Sequence, residues 1–185
     1  MIRIVYLIVK VLTLPGAILH AFFEHMSCRW TRVIVDDARP IQFNEMMGHV
    51  DHELIKRKGA SFDICFIPFF FNLAIGFLLL VNGATEIYYL GKYNDGLSWV
   101  TLYLGISLCA NLFPQIEDVM MLAENFYNEK NGIIGKILVA PFYAIFFIGA
   151  RLEKVGLTLI TSIAFSFAVP TILGWFIPSL YELLK

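Results

Sequence analysis

Charge is what this sequence has least of: Asp, Glu, Lys and Arg together make up 16% of its 185 residues. Soluble domains usually carry about 25%. The formal net charge is −1, so no basic field exists to hold nucleic acid, and that class of partner is excluded. The three cysteines, Cys28, Cys65 and Cys109, stand far apart without CxxC or CxxH spacing. They read as free thiols rather than as ligands or nucleophiles. No Asn-x-Ser/Thr acceptor occurs, so nothing marks an exported glycoprotein. The N-terminal apolar stretch has no small-x-small cleavage site after it, so it reads as a first membrane helix and not as a signal peptide. Neither an internal repeat nor a low-complexity segment is visible.

What the chain has in abundance is apolar surface. Apolar residues make up 58%, Phe alone accounts for 17 positions, and the mean hydropathy is +0.71. A soluble globule this small cannot hide that much; a bilayer can. The fold class expected is an all-α polytopic membrane protein with about five transmembrane helices, forming one membrane domain over residues 1–185. The apolar runs are 4–23, 64–81, 97–113, 133–150 and 155–177. A span needs about 20 residues to cross a core of about 30 Å. The first and last are long enough; the middle three, at about 18 residues, need tilt, thinning or flanking polar residues. Arg151-Leu152-Glu153-Lys154 alone separates the last two, which implies a tight helical hairpin or one bent pair.

Two polar loops interrupt the runs, 26–60 and 114–132. In the first, Arg32-Val33-Ile34-Val35-Asp36 reads as a short strand, paired in a hairpin with residues 42–50. In the second, Ile116, Val119, Met120, Ala123, Phe126 and Tyr127 form an apolar stripe. Glu117, Glu124, Asn128 and Asn131 fall on the other face, the pattern of an amphipathic helix begun by Pro114. With five spans, both loops and the C-terminus share one side, carrying Arg29, Arg32, Arg39, Lys56, Arg57, Lys58, Lys130 and Lys185. The opposite side has Arg3, Lys92, Arg151 and Lys154. The positive-inside rule then places the loops in the cytoplasm and the N-terminus outside.

The first run ends in His20-Ala21-Phe22-Phe23-Glu24-His25. Ionisable groups at a membrane helix end are costly and tend to be functional. His20 and Glu24, four apart, stack on one helical face and can bite one metal ion together. His25 lies about 140° round from His20 and needs a helix distortion to join them. The bland alternative is that all three mark where the helix meets water. The third run ends in Asn111-Leu112-Phe113-Pro114-Gln115-Ile116-Glu117-Asp118, which emerges on the same membrane side. Glu117 or Asp118 can then meet His20 and Glu24 at one depth. The ligand set expected is His20, Glu24 and Asp118, with His25 and His52 as weaker members and Glu24 as a weak candidate base. In a strand, His49, Asp51 and Glu53 share one face and His52 points away; a solvated hairpin explains these four. On that reading His49→Ala leaves metal binding nearly intact. Lys10 and Asp63 are candidates for an intramembrane ion pair, or snorkel to an interface.

Leu14-Pro15-Gly16, Gly48-His49-Val50-Asp51-His52-Glu53, Pro68-Phe69 with Asn72, and Leu104-Gly105-Ile106-Ser107 with Phe113-Pro114 and Asp118 occur in one order over residues 10–120. This series resembles the site-2 intramembrane zinc metalloproteases, and more closely a group of small zincin-like membrane proteins. The resemblance implies zinc as cofactor, with His20 as first ligand and Asp118 as a later one. It also shows a departure. The family's catalytic Glu falls on Ala21, its second His on Glu24, and Asp118 comes one residue early. Without a carboxylate at position 21 no group takes the proton from a zinc-bound water.

Three functions follow as alternatives. The first is a non-proteolytic metal- or partner-binding membrane protein with a degenerate HExxH motif. The second is an active intramembrane metallopeptidase with a rearranged site and a substrate helix. The third is an oligomeric channel, sensor or structural subunit in which copies of this chain line up the His/acid cluster. Small residues in the last spans (Gly149, Gly156, Ser162, Ala164, Ser166, Ala168) serve close packing in any of the three.

Overall fold

The computed structural model describes residues 2–42, 46–127 and 132–176. Lys130, Lys185, Asn128, Asn131, Ile177 and the middle of the expected partner strand fall outside them. Helices α1 (Ile2–Leu12) and α2 (Leu14–Thr31) precede a two-stranded ribbon, β1 (Val35–Asp37) and β2 (Asp51–His52). Helices α3 (Lys58–Ala84), α4 (Gly96–Ala110), α5 (Ile116–Tyr127), α6 (Ile133–Lys154) and α7 (Leu157–Phe176) follow. A π-helical turn, Thr85–Tyr89, extends α3. Three helices among the described residues are long and apolar enough to cross a membrane, and the bent α1–α2 pair brings the number to four. Helix α4, Gly96–Ala110, is apolar but shorter.

The first apolar run is not one straight helix. It breaks at Thr13, and its halves meet at 92°. The cause is local. Pro15 has no N–H to give, and its ring crowds the carbonyl one turn back. The Gly16 N–H leaves the helical ladder and donates to Ser107 Oγ at 2.8 Å. The Leu12 carbonyl instead accepts from the Tyr103 hydroxyl at 3.0 Å. Asn111 Nδ2 donates to both Thr13 O, at 3.2 Å, and Thr13 Oγ1, at 2.8 Å. Helix α4 thus satisfies the backbone of the break, as backbone inside a membrane requires.

Packing around α4 depends on missing side chains. A Cβ on Gly16 would lie 2.0 Å from the Ser107 carbonyl oxygen, one on Gly83 2.5 Å from Leu102 N, and one on Gly105 2.7 Å from Leu80 N. Backbones therefore touch along the α2–α4 and α3–α4 seams, the small-residue contact that drives helix association in lipid. On the other side Phe146, Val119, Leu122 and Cys65 join α6, α5 and α3. Residues 151–154, read from sequence as a connector, are the last turn of α6. The chain reverses over Val155 and Gly156, whose φ of +77° suits glycine. The amphipathic helix α5 begins at Ile116, two residues after the expected start at Pro114. The strand pairing differs from expectation: Val35 faces His52 and Asp37 faces Asp51, so β2 lies beyond the 42–50 segment.

Candidate metal centre

Helix α2 carries His20 and Glu24 one turn apart on its inner face, each 1% exposed. Asp118 lies in the first turn of α5 and is 4% exposed, while its neighbour Glu117 faces out. The connection from β1 to α3 returns over this spot and delivers His49 and His52. Here the structure departs from the solvated-hairpin expectation. His49, in the turn before β2, is 3% exposed, and the His52 side chain points inward while Asp51 and Glu53 point out. Simple alternation fails because the segment is a strand only at Asp51–His52. His25 stays half-buried on another face of α2, where helical geometry placed it.

The five groups fall into two sets that share Glu24. Ligand-type atoms of His20, Glu24 and His49 lie within 4.8 Å of one another, and so do those of Glu24, His52 and Asp118. Within the first, His20 Nε2 is 3.9 Å and His49 Nδ1 3.3 Å from Glu24 Oε2. Within the second, His52 Nε2 is 3.2 Å from Asp118 Oδ1. The expected His20/Glu24/Asp118 set is thus not formed as one group: His20 and Asp118 fall in different sets that share Glu24.

Backbone carbonyls set the tautomers. His20 Nδ1 is 2.9 Å from the Asn111 carbonyl, which can only accept, so Nδ1 carries the proton and Nε2 the lone pair. That carbonyl is itself held by Asn72 Nδ2 at 2.7 Å. His52 Nδ1 donates in the same way to Glu53 O at 3.0 Å, turning Nε2 towards Asp118. Burial draws the His52 imidazole down, but the hydrogen-bonded Asp118 carboxylate outweighs it and holds the ring at about 9. Without a metal, His52 and Asp118 are an ion pair. His49 goes the other way: burial first, then the Lys10 charge, push it well below its ordinary value, so it stays neutral.

A cavity of about 310 Å³ opens onto one side of the cluster, lined by His49, His52, Asp118, Gln115, Tyr6 and Glu153 among others. His20 and Glu24 lie behind that lining. Lys10 does not meet Asp63: it makes a 2.6 Å ion pair with Glu153 of α6, both sealed from solvent. Glu153 Oε2 also accepts the Phe113 N–H at 3.2 Å, and the Tyr6 hydroxyl donates to Met47 O at 3.2 Å. Sequence reasoning missed Glu153 because it sits in a run of charges that resembles a connector. The available signal was its helical continuity with the apolar face Phe146–Gly149–Ala150.

Compared with protein-family models, curated proteins and solved structures, the chain matches none of them. The chemical reading therefore rests on the donor set. The buried His20 imidazole offers an Nε2 lone pair beside Glu24, and an ion would displace the His52 Nε2 proton beside Asp118. His20 Nε2 and Glu24 Oε1 have no hydrogen-bond partner. Orphaned buried polar atoms cost about 1–3 kcal/mol each. Nitrogen and carboxylate donors with their outer sides tied down fit a zinc-type ion.

Proposed function

We propose that this chain is a polytopic membrane protein that holds a divalent transition ion, zinc by donor type, on Glu24, His52 and Asp118 beside its internal cavity. The observation that carries the reading is the His52–Asp118 contact. A carbonyl-locked imidazole turns its Nε2 onto a buried carboxylate, with Glu24 behind and the cavity in front. Three protein donors with open space on one side suit an ion that keeps a position for water or a ligand. The resemblance to zincin-like membrane proteins of the site-2 type supports this reading in part: it implies zinc and a ligand at Asp118, but His20 and not His52 as the histidine.

The centre is non-proteolytic in this reading. Ala21 stands where such enzymes hold their general base, and His49, the neutral group nearest Glu24, is bonded to it rather than aimed at open space. The ion would supply Lewis acidity. The protein's own residues do the positioning: Glu53 O and Asn111 O orient the two imidazoles, and the cavity admits the ligand. One observation favours a metallopeptidase as second reading, namely that the cavity reaches the metal-type side chains His52 and Asp118 directly. Five passes, counting α1–α2 and the short α4 as one each, put the cavity side in the cytoplasm by the charge of its loops.

Elemental analysis of tag-free, detergent-purified protein tests the reading. At least one zinc per chain is expected, and His52→Ala and Asp118→Asn should each lower the content. Metal-free protein, or content unchanged in both variants, would sink it. Incubation with membrane-embedded peptide substrates separates the two readings, since metal-dependent cleavage would favour the peptidase.

A further inference from the structure

The cluster holds more histidine than one ion at His52 and Asp118 uses. His20 and His49 make up the other set around Glu24, with ring centroids 4.9 Å apart and edge to face. Each has one nitrogen near Glu24 Oε2; the other nitrogen is hydrogen-bonded in His20 and faces a carboxylate beyond hydrogen-bond distance in His49. For His20 the outer partner is the Asn111 carbonyl at 2.9 Å. For His49, Nδ1 lies 3.3 Å from Glu24 Oε2, while Nε2 looks towards Glu153 Oε1 at 3.9 Å. A carbonyl or carboxylate behind an imidazole is the usual outer-sphere arrangement of a metal-bound histidine. His52 repeats it with Glu53 O.

Two further facts point to a ligand. His20 Nε2 is buried, faces Glu24 at 3.9 Å, and has no hydrogen-bond partner. That separation is too long for a proton shared between them. Glu24 Oε1 is likewise unpartnered, although Oε2 has His49 beside it. A carboxylate that belongs to two donor sets and keeps one oxygen unpartnered is suited to bridge. Lys10 would repel a second cation, but Glu153 neutralises it at 2.6 Å.

We infer that Glu24 bridges two metal positions: a deep one on His20, His49 and Glu24, and the cavity-side one on Glu24, His52 and Asp118. The inference rests on the proposed cavity-side centre and adds a second ion to it. The donor atoms of each set, within 4.8 Å of one another, close on an ion with bonds of about 2 Å through small side-chain rotations. Ions so bridged lie about 3.5–4 Å apart.

The test is stoichiometry. Tag-free protein is stripped with chelator, equilibrated with buffered zinc, and its metal counted by mass spectrometry against amino-acid analysis. About two ions per chain are expected for the native protein. His49→Ala and Asp118→Asn should each keep about one, and Glu24→Gln should lose both. One ion in the native protein overturns the bridged pair and leaves the cavity-side centre standing; none overturns both. Two ions retained in His49→Ala overturn the deep ligand set. Cobalt loading of the unaltered protein needs no variant to fold. Magnetically coupled cobalt at two equivalents supports the pair, and uncoupled spectra at all loadings overturn it.

Discussion

Lys10 and Glu153 show most clearly what a single residue does in this protein. Two charges 2.6 Å apart in a dry interior nearly cancel their desolvation cost, whereas one charge left alone does not. Lys10→Met should therefore destabilise the protein by about 3–5 kcal/mol, and adding Glu153→Leu should recover most of that. Unfolding in mixed micelles measures both; an additive double variant would show that the pair is not coupled. Gly16 is the second such position. A side chain there meets the Ser107 carbonyl at 2.0 Å, so Gly16→Val should cost at least about 1–3 kcal/mol. It should also displace His20, read as a fall in metal content. Unchanged stability and content would mean the α2–α4 contact is looser than described. Sequence alone put His20 and Glu24 on one helical face because their spacing is fixed by geometry. It grouped Asp118 with both, whereas Asp118 shares a donor set with Glu24 and not with His20. It misjudged His49 and His52 because a chain outside regular structure has no period from which to read direction.

At the scale of elements, the broken first helix and the ribbon matter most. The break at Thr13 follows from Pro15 and from Gly16 giving its N–H to Ser107. Pro15 is visible in the sequence; the acceptor is remote by 91 positions and is not. The ribbon is minimal, two residues of β2 on β1, extended by Glu53 N–H to Ile34 O at 3.1 Å. With so little pairing, segment 46–53 rests on the buried Met47 and Val50, on the Tyr6 hydroxyl at Met47 O, and on the contacts of His49 and His52, to which a bound ion would add. Zinc should slow amide exchange across that segment much more than in α3, measured by hydrogen–deuterium exchange with and without the ion. Equal protection in both states would show that the segment is fixed by the fold alone. Helix α5 is present where the sequence expected a helix, but its stripe is rotated. Ile116, Val119, Leu122 and Phe126 meet α3 and α6, whereas Met120 and Tyr127 of the expected stripe are exposed.

For the whole molecule, the bilayer decides what is stable. Large apolar side chains such as Leu78, Ile134, Ile137 and Phe167 face outward, while buried polar side chains such as His20, Glu24, Ser107 and Asn111 gather along α2 and α4. Helices α3 and α4 pack against each other and join through a short turn, so the loops before α3 and after α4 share a side and the turn lies opposite. Single cysteines at Lys56 and Glu124 should then react with an impermeant thiol reagent from one side of the membrane, and one at Asn94 from the other. The native cysteines are buried and do not compete. Labelling of all three from one side would remove the membrane arrangement. The sequence by itself determined that this is a helical protein made for lipid, because hydrophobic run length and charge scarcity are additive properties of composition. It also determined that His20 and Glu24 share a helix face, because helical spacing is local. Only the tertiary structure decided that His49 and His52 turn inward, that Lys10 meets Glu153, and that Glu24 stands between two donor sets. Those arrangements depend on backbone contacts between distant segments, and no local pattern encodes which buried group will find which partner.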